Sequence, residues 1–247
     1  MRIAIVSSEV NYVKDNYQHL ITELIREHKD AIVGLVIVRT LSAALVLKSL
    51  GLYLIGARGI SKNILRNAWN SLFKSPESFF EAKGIPVFKT KSINSLESQD
   101  FLRSLQLDLI LNLRTRNIFK KDILEIPRWG CINIHHGLLP QYRGTMCDLW
   151  ALSEGRAIGY SIHWMNQKID DGRLLRVREL KELDTKNYSE IPYLSSLQEA
   201  KDLKELLDKF KNSGPEAGSE NRGVKVLHSK NPTRHQIREM IEKGIEL

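Results

Sequence analysis

Asn133 and His135 are the residues with which chemistry could begin. They sit two apart in a short apolar run, 131–136, which Gly137 and Pro140 interrupt. Along a β-strand, side chains at i and i+2 share a face, so this spacing projects a carboxamide and an imidazole to the same side. In a buried strand of an open α/β sheet both would stand at the carboxyl end, where such sheets place their sites. A carboxamide N–H can stabilise charge developing on an oxygen. An imidazole titrates near neutrality and can move a proton. The pair reads as catalytic, and the bland alternative is a satisfied buried polar network.

Three more groups follow in order: Leu138-Leu139-Pro140, then Tyr142-Arg143-Gly144, then Asp170-Asp171-Gly172. Together with Asn133 and His135 they resemble the formyltransferases that use 10-formyltetrahydrofolate, among them the glycinamide ribonucleotide, methionyl-tRNA and sugar-nucleotide enzymes. That family's motif runs Asn-x-His-x-Ser-Leu-Leu-Pro, then an aromatic residue, Arg or Lys, and Gly, and later Asp-x-Gly. Gly137 departs from it, standing where the family usually has serine. The likeness covers residues 1–8 and about 85–185.

The resemblance implies that formyl transfer passes through a tetrahedral oxyanion, with Asn133 donating to the oxygen. It implies that His135 handles the proton and that Asp170 orients His135; the frame set by Gly172 selects Asp170 over Asp171. It further implies that Arg114, Thr115, Arg116, Asn117, Ile118 and Leu139 hold the folate donor, the loop by its backbone against the pterin. Tyr142, Arg143 and Gly144 would bind the acceptor. No metal is expected.

The elements that must position these groups are legible as patterns. Residues 2–7, 31–39, 85–89 and 107–113 are apolar runs fit for buried strands. Residues 157–165 form another, with Tyr160, Ile162 and Trp164 on one face. Residues 173–181 suit an edge strand. Leu20, Ile21, Leu24 and Ile25 recur at helical spacing within 18–27, and helices are also expected over 95–105, 147–152, 195–210 and 232–244, the last capped by Asn231 or Thr233. Residues 211–222, rich in Gly, Ser and Glu, read as a mobile loop. His136 alternates away from His135 and reads as structural; His163 lies opposite the face of Tyr160, Ile162 and Trp164, and the resemblance, whose matching strand often carries a histidine or polar residue without a chemical role, implies a structural part for it too. This pattern is α/β with a mostly parallel, doubly wound, Rossmann-like sheet. We expect a catalytic domain over 1–183, carrying a basic insertion at about 40–82, and a short helical appendage over 184–247.

Composition bounds the setting. The 247 residues are 42% hydrophobic with a formal net charge of +8. Two cysteines outside metal-ligand spacing, with no export signal ahead of them, lead us to expect a cytoplasmic protein. The charge suits nucleic acid, a membrane surface or anionic small ligands, but no basic, aromatic-interleaved motif supports nucleic acid. Residues 8–16 contain no glycine for close approach to a phosphate, which disfavours a dinucleotide or a ribonucleotide acceptor. From 31 to 76 there is no acidic residue, while Arg39, Lys48, Arg58, Lys62, Arg66 and Lys74 fall inside. After a plausible cap at Ser61, Ile64, Leu65, Ala68, Trp69, Leu72 and Phe73 follow helical spacing, with Asn67 on the polar side. Such a helix can lie in a membrane interface across 40–75, or pack on the sheet by the same stripe. Arg114 and Arg116 either help hold the folate glutamate tail or are solvated.

The methionyl-tRNA enzymes of the family carry a further β-barrel domain, and here only a short tail follows 184, so that acceptor is disfavoured. The formyltetrahydrofolate hydrolases share the His135–His136 pair but bear a regulatory domain ahead of it. The expected reaction is formyl transfer to a small amine, an amino sugar carried on a nucleotide or in a surface glycan. The oligomeric state is left open.

Overall fold

The computed structural model describes residues 1–74, 77–181, 183, 185–223 and 226–247. Ser75 and Pro76, at the end of the basic segment, and Asp184, where the expected appendage begins, lie outside the described residues.

The apolar runs become strands. β1 (Ile3–Ser8), β2 (Ile32–Val38), β3 (Val87–Thr90), β4 (Leu109–Leu113) and β5 (Gly130–His135) are mutually parallel where they pair. After the small strand β6 (Tyr142–Gly144), β7 (Gly159–Trp164) and β8 (Leu174–Glu179) join antiparallel. The sheet order is β3-β2-β1-β4-β5-β7-β8. The chain winds to one side of β1 and then, through β4, to the other. The strand order therefore reverses at β1/β4, where open α/β sheets form a cleft.

Period-two alternation sorts β1 onto the two faces of the sheet. Ile3 and Ile5 join one core with α1 (Gln18–Glu27), while Ala4 and Val6 join the other. α1 covers the ten residues that its spacing predicts and buries Leu20, Ile21, Leu24 and Ile25. On the opposite face lie Leu102 and Leu105, at the end of α5 (Leu96–Ser104), whose N-cap is Ser95; the short helices α4 (Ser78–Glu81), α6 (Lys121–Leu124) and α7 (Cys147–Ser153) precede β3, β5 and β7.

The basic segment is a helical hairpin, α2 (Ala43–Leu54) and α3 (Arg58–Phe73). Two expectations for it are corrected. Ser61 caps nothing: it is buried inside α3, where its Oγ donates to Ser49 O of α2 at 2.8 Å. The two hydroxyls lie 3.1 Å apart and join the helices. Asn67 is also buried, donating to Asn11 O (3.0 Å) and Val13 O (2.7 Å). The face of α3 turned inward is therefore Ile60, Ser61, Ile64, Asn67 and Ala68. Trp69, Leu72 and Phe73 are exposed, contrary to packing on the sheet by the whole stripe.

Beyond 184, α8 (Ile191–Ser213) packs Ala200, Leu203, Leu206, Leu207 and Phe210 into the same core as β1 and α1. The glycine-rich stretch 211–222 is tied down. Trp164 Nε1 donates to Glu216 O, Leu174 bridges to Ser219, and Asn221 Nδ2 donates to Asp170 O and Gly172 O. β9 (Leu227–Ser229) pairs in parallel with β6, and α9 (Arg234–Glu242) follows behind a capping box at Thr233.

Candidate active site

β5 carries Asn133 and His135 on one face, and the antiparallel neighbour β7 sets His163 opposite Asn133 and Ser161 opposite His135. On the other side β4 sets Asn112 opposite Asn133. A single hydrogen-bond chain results, and its polarity is fixed by one unambiguous donor. The backbone N–H of Thr115 donates to Asn112 Oδ1 (3.2 Å), as does the Thr115 hydroxyl (2.8 Å). Asn112 must then present its Nδ2 to Asn133 Oδ1 (2.9 Å). Asn133 in turn presents Nδ2 to His163 Nε2 (3.2 Å), and His163 donates Nδ1–H to Trp164 O (2.7 Å). One Asn133 amide hydrogen is spent on His163. The other has no protein partner among the described residues, and Asn133 lines the cavity.

His135 faces two acceptors. Its Nε2 is 2.9 Å from Tyr142 O and its Nδ1 is 3.4 Å from Asp170 Oδ2. A neutral imidazole owns one N–H, so one acceptor must confront a lone pair; a proton added to the ring would satisfy both. Burial opposes this and pushes the His135 pKa down, with Asp170 pulling the other way. Burial also acts to raise Asp170. It is outweighed by His135 and the Gly144 N–H (2.9 Å), which act to hold Asp170 down to about 2. The two downward shifts describe an ionised carboxylate beside a neutral ring, because Asp170 keeps a backbone donor when the ring gives up its proton.

Asp171 turns the other way, to Arg143. Gly172 is required by space: a Cβ there would come 1.7 Å from Trp164 O. Gly137 is likewise constrained, since a Cβ would meet Cys147 Cβ and His135 Nε2, each at 2.7 Å. We expect Gly137→Ser to displace the imidazole, costing about 1–3 kcal/mol of stability by overpacking and lowering turnover. Cys147→Gly in the same chain should restore part of both, read by thermal melts and initial rates.

These groups border a cavity of 680 Å³ at the β1/β4 switch point. Asn11, Tyr12, Val13 and Tyr17 after β1 form one wall, and Thr115, Arg116, Asn117 and Ile118 after β4 form another. Gly144, Lys168, Asp170 and the segment His228–Asn231 complete it. The β1 wall turns without glycine: Asp15, Asn16 and Tyr17 all have φ between 52° and 61°. Asn16 steadies this left-handed turn by donating to Ser8 O and Glu9 O and accepting from Asn11 N.

Several expected contacts go elsewhere. Arg114 lines the cavity with little of its side chain exposed, and its guanidinium is engaged by Glu199 and Tyr17 rather than solvated. Arg116 is exposed at the rim. Leu139 and Tyr142 are buried away from the cavity, Tyr142 donating to Glu154 (3.0 Å). Arg143 is held by Asp171 and by Asn221 O (3.0 Å). Of the three residues expected to bind acceptor, only Gly144 lines the cavity. His163, read as structural, belongs to the cluster, its Nε2 3.5 Å from Asp170 Oδ1. Asn112 and Glu199 were not foreseen. A lone Asn in the apolar run 109–113 was the available signal for Asn112.

An amide donor, an imidazole and a carboxylate converging at the β1/β4 cleft define the class: an α/β fold with a polar centre at its switch point. The chain belongs to the formyl transferase family, whose model matches residues 1–203. Among curated relatives it is 40% identical over 116 residues to the bifunctional polymyxin resistance protein ArnA of Wigglesworthia glossinidia brevipalpis, covering 45% of this chain and 18% of that one. It is 34% identical over 152 residues to the methionyl-tRNA formyltransferase of Ehrlichia ruminantium (strain Gardel), covering 60% and 50%. The chain thus spans half or less of the length of these relatives. In fold it is similar to a sugar N-formyltransferase from Shewanella sp FDAARGOS_354 (TM-score 0.58, 18% identity, 97% of this chain and 87% of that one). It is also similar to a 4-N formyltransferase from Francisella tularensis (TM-score 0.57, 15% identity, 96% and 86%).

Proposed function

We propose that this chain transfers the formyl group of 10-formyltetrahydrofolate to the amino group of a small acceptor, an amino sugar carried on a nucleotide. The observation that carries this reading is the convergence of Asn133, His135 and Asp170 on one cavity, with an amide hydrogen of Asn133 unspent. The cavity's 680 Å³ lies within the range of sites that enclose a drug-sized ligand. Exposed Ile118 offers an apolar edge to an aromatic ring, and exposed Arg116, Lys168 and Lys230 offer cations to a glutamate tail or a phosphate. The folds similar across nearly all of this chain include enzymes described as sugar N-formyltransferases, which supports the sugar acceptor.

The donor supplies a formyl carbon whose oxygen gains negative charge when an amine attacks. Asn133 is placed to donate its second amide hydrogen to that oxygen. His135, neutral and flanked by two acceptors, is placed to take the proton that the amine nitrogen sheds. Asp170 stabilises the imidazolium so formed, and the proton is then available for the departing folate nitrogen.

The test is release of tetrahydrofolate from 10-formyltetrahydrofolate with and without a nucleotide-linked amino sugar, with the acceptor's mass followed for one added formyl group. Release only with acceptor supports the proposal. Equal release without it would make the chain a hydrolase. The pH profile carries a second expectation. The base must be neutral to accept a proton, and His135 is pushed below its ordinary pKa of about 6.5. The acid limb of kcat/KM should therefore fall below about pH 6.5 and vanish in the residual activity of His135→Asn. A limb centred above that value would assign the base elsewhere.

A further inference from the structure

The α2–α3 hairpin turns an apolar face to solvent. Leu47, Leu50 and Leu54 of α2 are 69%, 46% and 85% exposed, and Trp69, Leu72 and Phe73 of α3 are 60%, 63% and 65% exposed. On α2 these positions recur at i, i+3 and i+7, and on α3 Lys62, Arg66, Trp69 and Phe73 follow i, i+4, i+7 and i+11, so each set shares one helix face. Trp69 and Phe73 pack on each other with ring centroids 4.2 Å apart. The folded core has claimed the opposite face of α3, through Ile60, Ile64 and Ala68.

Charge identifies the occupant. No acidic residue occurs between 31 and 76, whereas six basic ones do. Arg66 pairs with Asp15 (3.4 Å) and Arg58 lies over the Tyr53 ring (5.8 Å). Lys48, Lys62 and Lys74 have no ion pair among the described residues and stand exposed beside the apolar side chains. Exposed aromatic and aliphatic groups on a basic helix are what an anionic bilayer interface accommodates, with the apolar face entering roughly 5–10 Å. A second copy docking by the same face would oppose lysines to lysines across a two-fold axis. A membrane span is ruled out for α2 by length: its 12 residues reach about 18 Å of the roughly 30 Å required. Among the described residues no helix is long and apolar enough to cross.

We propose that the exposed face of the α2–α3 hairpin docks on an anionic lipid bilayer, Trp69, Leu72 and Phe73 entering the interface and Lys48, Lys62 and Lys74 meeting lipid headgroups. On the inward side of α3, Asn67 holds Asn11 and Val13 of the cavity wall. The docked surface and the wall of the active-site cavity are thus two sides of one helix, about 10 Å across.

Sedimentation of the whole chain with phosphatidylcholine vesicles, with or without phosphatidylglycerol, tests this. Binding should require phosphatidylglycerol and weaken as salt rises. Trp69→Ser with Phe73→Ser should lower partitioning at least about tenfold, and Lys62→Ser about fivefold. These side chains are exposed, so the melting temperature should stay that of wild type. No sedimentation with anionic vesicles at low salt would overturn the proposal. So would undiminished sedimentation of the Trp69/Phe73 variant, or a wild-type dimer that this variant dissociates without any vesicle binding.

Discussion

Replacing Asn133 by alanine is expected to lower kcat for the proposed formyl transfer by about 10²–10³-fold, the loss that follows when one preorganised donor to a developing oxyanion is removed, about 2.7–4 kcal/mol. The reason lies in how the amide is held. Thr115 N–H fixes the orientation of Asn112, Asn112 fixes that of Asn133, and one Asn133 hydrogen remains to be aimed at a ligand. A donor held in this way needs no reorganisation when charge appears. The substitution also strands Asn112 Nδ2, costing about 1–3 kcal/mol of stability, so activity must be read on protein shown to be folded. Asn112→Ala provides the contrast. It loosens Asn133 without removing the donor and should cost distinctly less in kcat. Unchanged turnover in Asn133→Ala would remove it from the site, and equal losses in the two variants would make Asn133 a structural residue.

The second large effect concerns the ion pair of Arg114 with Glu199. Glu199→Ala should destabilise the fold by about 3–5 kcal/mol, the cost of leaving a buried charge without its partner. Glu199 is fully buried on α8, and Arg114 leaves β4 with φ 60° to reach it and the Tyr17 ring. Burial pushes the Glu199 carboxyl up, so that side can shed charge by taking a proton. On Arg114 burial acts downward, but Glu199 and the neighbouring tyrosines outweigh it and keep the guanidinium charged. The cost therefore falls mainly on the arginine. Replacing both partners together, Arg114→Met with Glu199→Leu, should recover most of the loss, since apolar groups of similar volume often replace a buried pair at no net cost. Denaturant melts of Arg114→Met, Glu199→Leu and the double variant form the cycle. A loss under about 1 kcal/mol for Glu199→Ala would show the pair to be screened by solvent.

Local pattern reached far in this chain. The helix Gln18–Glu27 follows from four apolar residues at helical spacing, and β1, β2, β4 and β5 from apolar runs that can only be buried. The placing of Asn133 and His135 on one face follows from the period of a strand. In each of these cases the cause lies within a few residues. Asp170 rather than Asp171 was selected by the Asp-x-Gly frame of the family resemblance, and it is Asp170 that faces the imidazole.

Pairing between distant segments decided the rest. His163 alternates away from Tyr160 and Ile162, and only the antiparallel register of β7 on β5 turns that face toward Asn133. Asn67 looks like a surface residue of a basic helix until α3 docks beside the β1 wall, where two carbonyls need its donors. Arg114 reads as a loop cation until α8 delivers Glu199 from 85 positions away. The left-handed turn at Asp15–Tyr17 forms without glycine because Asn16 supplies the compensating hydrogen bonds. By itself the sequence determined the strands, most helices and the order of the polar motif, because hydrophobic period and turn residues act locally. Which face each strand presents, which cation is paired away from solvent and which helix face stays bare were settled only in the tertiary structure, where burial drives most polar groups to partners in whatever segment lies opposite.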